Sequence, residues 1–134
     1  MTMRTGPTTV LFVCLHGSAK SLIAAHYFTR LARSRGLAYV GQSAGLEPDA
    51  AVPDPVIDGL GRDGFDVAGY APGPATPDRL ADADYVVSLG CELPIAANVT
   101  VKENWDDLPM VSDGFERARD AIIKHVTRLV DSLT

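Results

Sequence analysis

Chemistry concentrates where an apolar run ends in a cysteine. The segment Val10–Ser21 reads VLFVCLHGSAKS, with Cys14 closing a buried-strand pattern and six residues, Leu15 to Lys20, before an apolar-rich helix. In a parallel α/β fold such a junction lies at the carboxyl edge of the sheet, where ligands bind. Backbone N–H groups of a tight loop beside a helix N-terminus form a cradle for an anion. A cysteine in that cradle has its thiolate stabilised by the same dipoles. Gly17 supplies the backbone freedom to curl the loop. Lys20 adds a positive charge, and the Ser21 hydroxyl can donate to the sulfur. Together these residues predict a nucleophilic thiolate facing a tetrahedral oxyanion. The simpler alternative makes Cys14 a small buried core residue.

Other ionisable residues carry less information. Cys91 follows a second apolar run, in VVSLGC, and is either a buried structural thiol or a redox partner. His16 lies inside the loop, where it tunes Cys14 or faces solvent. His26 and His125 fall on expected helices without an evident partner. Two separated cysteines and three histidines match no zinc spacing, so neither metal nor cofactor is implied. Gly59-Leu60-Gly61 and Gly73-Pro74 do not form a nucleotide fingerprint.

The elements that must position Cys14 follow from patterning. Thr8–Cys14 is a β-branched, continuously apolar strand, buried on both faces. Ser21 is the expected cap of a helix carrying Ala24, Tyr27, Phe28 and Leu31, which stops at Gly36. Ala38–Ser43 reads as a second strand. Gly45–Pro55 reads as a loop into a helix with Val56, Ile57 and Leu60 that ends near Gly61–Gly64. Gly69–Pro77 is a surface loop, Asp78–Ala83 a short helix and Tyr85–Leu89 a third strand. A weaker strand is expected around Asn98–Val101. Phe115, Ala118, Ile122, Val126, Leu129 and Leu133 recur at helical spacing, with Ser112 or Asp113 as the expected cap.

Alternation of strand and helix predicts one compact α/β domain over residues 1–134, with a loose lead at 1–7. The 134 residues are 46% hydrophobic and 22% charged, which excludes a disordered chain. A net charge of -5 argues against nucleic-acid binding through a basic face. No run is long enough for a membrane span. Met1 to Pro7 lacks the features of a secretion signal, and two cysteines make no disulfide framework, so a cytoplasmic protein is expected.

The loop VLFVCLHGSAKS resembles the active-site loop of the low-molecular-weight protein tyrosine phosphatase superfamily, which includes the thioredoxin-type arsenate reductases. Ser43-Ala44-Gly45, the ADADYVVSLGC segment and the long final helix fit as well, so the resemblance spans nearly the whole chain. It implies a three-layer α/β sandwich, a four-stranded parallel sheet with helices on both faces. It further implies that Cys14 attacks phosphorus or arsenic, that Leu15, His16, Gly17, Ser18, Ala19 and Lys20 hold the oxyanion, and that Ser21 stabilises the thiolate. The family's general acid, an Asp usually followed by Pro before the last helix, falls on Asp106 or Asp107. Tyr70 or Trp105 are candidates for gripping an aryl substrate. Cys91 resembles the second redox cysteine of the arsenate reductases, and His16 the histidine of their loop.

This sequence departs from the pattern in several places. Lys20 stands where the family has arginine, exchanging a two-pronged fork for a point charge. Gly17 replaces the usual asparagine, and Ala19 removes an intraloop disulfide. No third cysteine follows Cys91, since Glu92-Leu93-Pro94-Ile95 contains no thiol. Three readings follow. The first is a cysteine-dependent phosphomonoesterase. The second is an arsenate reductase using Cys91 or an external thiol, from a glutaredoxin- or thioredoxin-like partner. The third is a non-catalytic module that binds phosphate- or arsenate-type oxyanions.

Overall fold

The computed structural model describes residues 6–93 and 99–134. The chain runs β1 (Thr8–Cys14), α1 (Lys20–Ser34), β2 (Tyr39–Gly45), α2 (Asp54–Arg62), α3 (Pro77–Asp82), β3 (Tyr85–Ser88), β4 (Val101–Asn104) and α4 (Phe115–Leu133). The four strands form one sheet in the order β2-β1-β3-β4, and every pair is parallel. β1 is therefore an inner strand, with Cys14 opposite Gly45 of β2 and Val13 opposite Ser88 of β3.

The period of two along β1 divides the core. Val10, Phe12 and Cys14 pack with α1, α2 and α4, whereas Leu11 and Val13 pack with Leu80 of α3 and Val86 of β3. Helices thus cover both faces, as the continuous apolar run of β1 demands. The face toward α1 and α4 is the larger core. There Phe12 meets Phe28 and Trp105 at ring-centroid separations of 5.4 and 5.7 Å.

Four expected boundaries move. α1 begins at Lys20 with Ala19 at its cap position, so Ser21 lies inside the first turn and is free to face the sulfur. α4 is preceded by Gly114 at φ 145° with no side-chain cap, while Ser112 and Asp113 belong to a tight turn over Val111–Asp113. β4 starts at Val101, later than the strand expected around Asn98–Val101, and Asn98 lies outside the described residues. β4 is a largely exposed edge strand with the sequence VKEN, which carries almost no apolar signal. β2 also extends to Gly45, because Ser43, Ala44 and Gly45 pair with Phe12, Val13 and Cys14. Among the described residues no helix is long and apolar enough to cross a membrane.

Candidate active site

Cys14 ends β1 where the sheet changes direction, since β2 flanks it on one side and β3 on the other. The carboxyl end of such a switch point is where open α/β sheets bind ligands. Gly17 adopts φ 65° and turns the chain back, so that its N–H donates to the Cys14 sulfur at 3.2 Å. The Ser21 hydroxyl lies 3.0 Å from the same sulfur. Donors aimed at a buried sulfur are what a thiolate needs once water is excluded.

The end of β2 braces this loop. Ser43 Oγ is 2.7 Å from Ser21 Oγ and 3.3 Å from the Gly17 carbonyl oxygen. With sulfur as the thiolate, Ser21 donates to it, leaving Ser43 to donate to Ser21 or to the Gly17 carbonyl. A Cβ on Gly17 would sit 2.6 Å from the Gly45 nitrogen, and one on Gly45 would sit 2.5 Å from the His16 carbonyl carbon. Neither glycine tolerates a side chain, because the two backbones touch. Amides of the following segment then clasp the loop: Leu46 N–H donates to Cys14 O at 3.2 Å and Glu47 N–H to Leu15 O at 2.7 Å.

Above Cys14 lies a cavity of about 690 Å3. Its floor is the nucleophile loop, including Leu15, His16, Ser18, Ala19 and Lys20, and its walls include Pro53, Val56, Leu89, Met110 and Phe115. The lining is mainly apolar. Leu15 and Met110 are 43% and 60% exposed, which opens the cavity at an apolar mouth. Among the described residues no carboxylate forms an ion pair with Lys20, which lines the cavity. No cluster of three or more His, Cys, Asp or Glu among them is arranged to hold a metal ion.

Other expected site residues lie apart. Asp106 and Asp107 are not among the cavity-lining residues, but the Asp106 Cα lies 4.0 Å from where a Cβ on Gly90, which does line it, would sit. Asp107 is exposed, meets His125 Nε2 at 2.9 Å and borders a separate groove along α4. Tyr70 directs its hydroxyl to the Ser43 carbonyl at 3.3 Å, and Trp105 is buried against Phe12. The aromatic ring that does reach the cavity is Phe115. Cys91 packs against the Leu11 and Val13 core, on the opposite face of the sheet from Cys14. Its sulfur contacts the Val13 carbonyl at 3.5 Å, and burial pushes its thiol pKa up. His16 is half exposed, with Nδ1 3.1 Å from the Glu47 carbonyl oxygen.

Two residues had no role in the sequence reading: Ser43, and Asp49, which lines the cavity and accepts a hydrogen bond from Ser18 Oγ at 2.6 Å. Ser43 was legible only as part of Ser43-Ala44-Gly45, and Asp49 only as one residue of a Pro- and Asp-rich loop. Both depend on what β2 places beside the Cys14 loop.

A parallel sheet that presents a hydrogen-bonded cysteine in a loop at the carboxyl end of an inner strand defines a class of α/β proteins. The chain belongs to the low molecular weight phosphotyrosine protein phosphatase family, whose sequence model matches residues 9–134. No curated protein matches it. Among solved structures it is similar to the thioredoxin-dependent arsenate reductase of Corynebacterium glutamicum, with a TM-score of 0.80 and 24% identity. That match covers 97% of this chain but spans only 63% of the Corynebacterium protein. An arsenate reductase from Archaeoglobus fulgidus is 26% identical, with a TM-score of 0.74 over 91% of this chain and 98% of that one. A low molecular weight protein tyrosine phosphatase from T. tengcongensis is 17% identical, with a TM-score of 0.75 over 93% of this chain and 99% of that one.

Proposed function

We propose that the protein is a cysteine-dependent phosphomonoesterase. Cys14 Sγ attacks phosphorus, and the amides of Leu15 to Lys20 with the Lys20 ammonium hold the equatorial oxygens. Water then attacks the phosphocysteine and releases phosphate. The observation that carries this reading is the cavity joined to the anion loop. A volume of about 690 Å3 suits a small organic molecule and exceeds what a bare oxyanion fills. The apolar wall fits an ester with an apolar body. Its test is hydrolysis of 4-nitrophenyl phosphate by the purified protein, with Cys14→Ser as the control. Turnover is expected in the wild type and none in Cys14→Ser, while phosphate still binds the variant. Full activity in Cys14→Ser would remove the covalent mechanism.

A second reading, reduction of arsenate, has support from the 26% identity to the Archaeoglobus enzyme. Arsenate would form the same adduct on Cys14. The placement of Cys14 and Cys91 in cores on opposite faces of the sheet favours completion by an external thiol of glutaredoxin or thioredoxin type over an internal relay. Arsenate-dependent oxidation of such a thiol, unaffected by Cys91→Ser, is the outcome this reading requires.

A further inference from the structure

The two aspartates ahead of α4 have different surroundings. Asp106 sits at the cavity edge, beside Gly90, which lines it. A Cβ on that glycine would stand 3.8 Å from the Trp105 carbonyl oxygen and 4.0 Å from the Asp106 Cα. Among the described residues Asp106 forms no ion pair. Asp107 turns onto α4, where its Oδ1 meets His125 Nε2 at 2.9 Å. A carboxylate only accepts, so Nε2 carries the proton of this bond. The His125 side chain is 18% exposed and that of Asp107 68%. The His125 ring also stacks on Trp105, at a centroid distance of 5.0 Å and an interplanar angle of 22°. Trp105 is itself buried against Phe12 and donates its backbone N–H to the Ser88 carbonyl at 2.7 Å. One imidazole thus holds the residues on both sides of Asp106, Trp105 by its face and Asp107 by its edge. The same segment goes on to line the cavity with Met110, Val111 and Ser112.

From this clamp we infer that His125 is a positioning residue, which fixes Asp106 as the proton donor of the proposed phosphatase reaction. The inference rests on that reaction and divides the two aspartates by role. In the first step Cys14 Sγ forms a bond to phosphorus, the phosphorus–oxygen ester bond breaks, and the Asp106 carboxyl gives its proton to the leaving oxygen. In the second step the Asp106 carboxylate takes a proton from water as that water attacks phosphorus. The sulfur–phosphorus bond then breaks, which returns the Cys14 thiolate and releases inorganic phosphate. Asp107 takes no part in the proton transfer and serves as the tether. His125 does not line the cavity, so it acts only through Trp105 and Asp107. Loss of the clamp frees the backbone on either side of the acid, and a displacement of about 1 Å at a reacting group is enough to cost about 100-fold in rate.

The test compares two leaving groups in His125→Ala, Asp107→Ala and Asp106→Asn. A 4-nitrophenolate leaves without a proton, whereas the phenolate of phenyl phosphate benefits from one. D106N is expected to lose about 100-fold or more in kcat on phenyl phosphate and about 10-fold or less on 4-nitrophenyl phosphate. H125A and D107A should show the same selectivity at a smaller size, about 10-fold on phenyl phosphate. The double variant should lose no more than either single one, because both remove one bond. His125→Gln keeps an Nε2 donor for Asp107 and should recover most of the loss. D107A changes an exposed side chain and spares the Trp105 stack, so it decides the matter if H125A unfolds. Equal loss on both esters, no loss, additive losses or failure of H125Q to recover would each overturn the role of His125 alone. A selective loss in D107A with D106N unaffected would do the same, making Asp107 the donor. Absence of Cys14-dependent hydrolysis in the wild type would overturn the phosphatase reading and this inference together.

Discussion

Lys20 is the residue at which this site departs most from its family in charge geometry. An ammonium at the end of the anion loop attracts an oxyanion but cannot grip two oxygens in a plane as a guanidinium does. One charge-assisted hydrogen bond is worth about 1.5–3 kcal/mol, and it counts toward rate only where it tightens in the transition state. Lys20→Arg is therefore expected to raise kcat on 4-nitrophenyl phosphate by about 10–100-fold. A fall would show a loop built around lysine. Gly17 illustrates a departure with a structural cause. The usual asparagine needs a Cβ, and here that atom would lie 2.6 Å from the backbone nitrogen of Gly45.

Between elements, the cavity wall depends on how α2 sits against α4. Gly59 of α2 faces Phe115 at the start of α4, and a Cβ there would fall 2.4 Å from the ring. Phe115 also lines the cavity, so packing and substrate access share one side chain. Gly59→Ala should force the ring aside. Overpacking of this kind costs about 1–3 kcal/mol, equivalent to a Tm fall of roughly 3–10 °C. Thermal unfolding measures the first effect, and a changed KM for aryl phosphates the second. An unaltered Tm and KM would show that the two helices separate at no cost. Strand boundaries were least legible where burial was least: β1 reads directly as a run buried on both faces, while the edge strand β4 offers only one valine to a pattern search.

Across the molecule, a network ties three helices together on the larger face. Tyr27 of α1 donates to Asp63 at the end of α2, and Arg119 of α4 meets the same carboxylate at 3.2 Å. The Tyr27 pKa rises to about 12, first through burial and then through its bond to Asp63. Beside it, half-buried His26 packs against Phe65 at a centroid distance of 5.1 Å. Burial, with Arg30 adding repulsion, lowers the His26 pKa below 6.5. The unfolded chain then binds a proton near pH 6.5 that the folded chain refuses, so stability falls as pH drops below that value. His26→Gln is expected to flatten this acid limb in urea unfolding between about pH 7 and 5. An unchanged slope in the variant would assign the limb to other groups.

Local chemistry was enough to determine the α/β class, β1 as a strand buried on both faces, and the glycine turn that follows Cys14. Continuous apolar runs, glycine at a tight turn and helical spacing act within a few residues of each other, so a linear sequence displays them. Which carboxyl group lines the cavity above Cys14 is a different kind of question. Asp49 is 35 positions along the chain from Cys14 and reaches its cavity only because β2 pairs in parallel with β1 and releases its loop at the same edge. Asp107 is nearer to the family's expected place in sequence, yet it turns to His125 on the outer side of α4. The period of two along β1 puts Cys14 in one core, while the loop after β3 folds Cys91 against Leu11 and Val13 in the other. Proximity in those cases is set by strand order and sheet face, and only the folded chain fixes both.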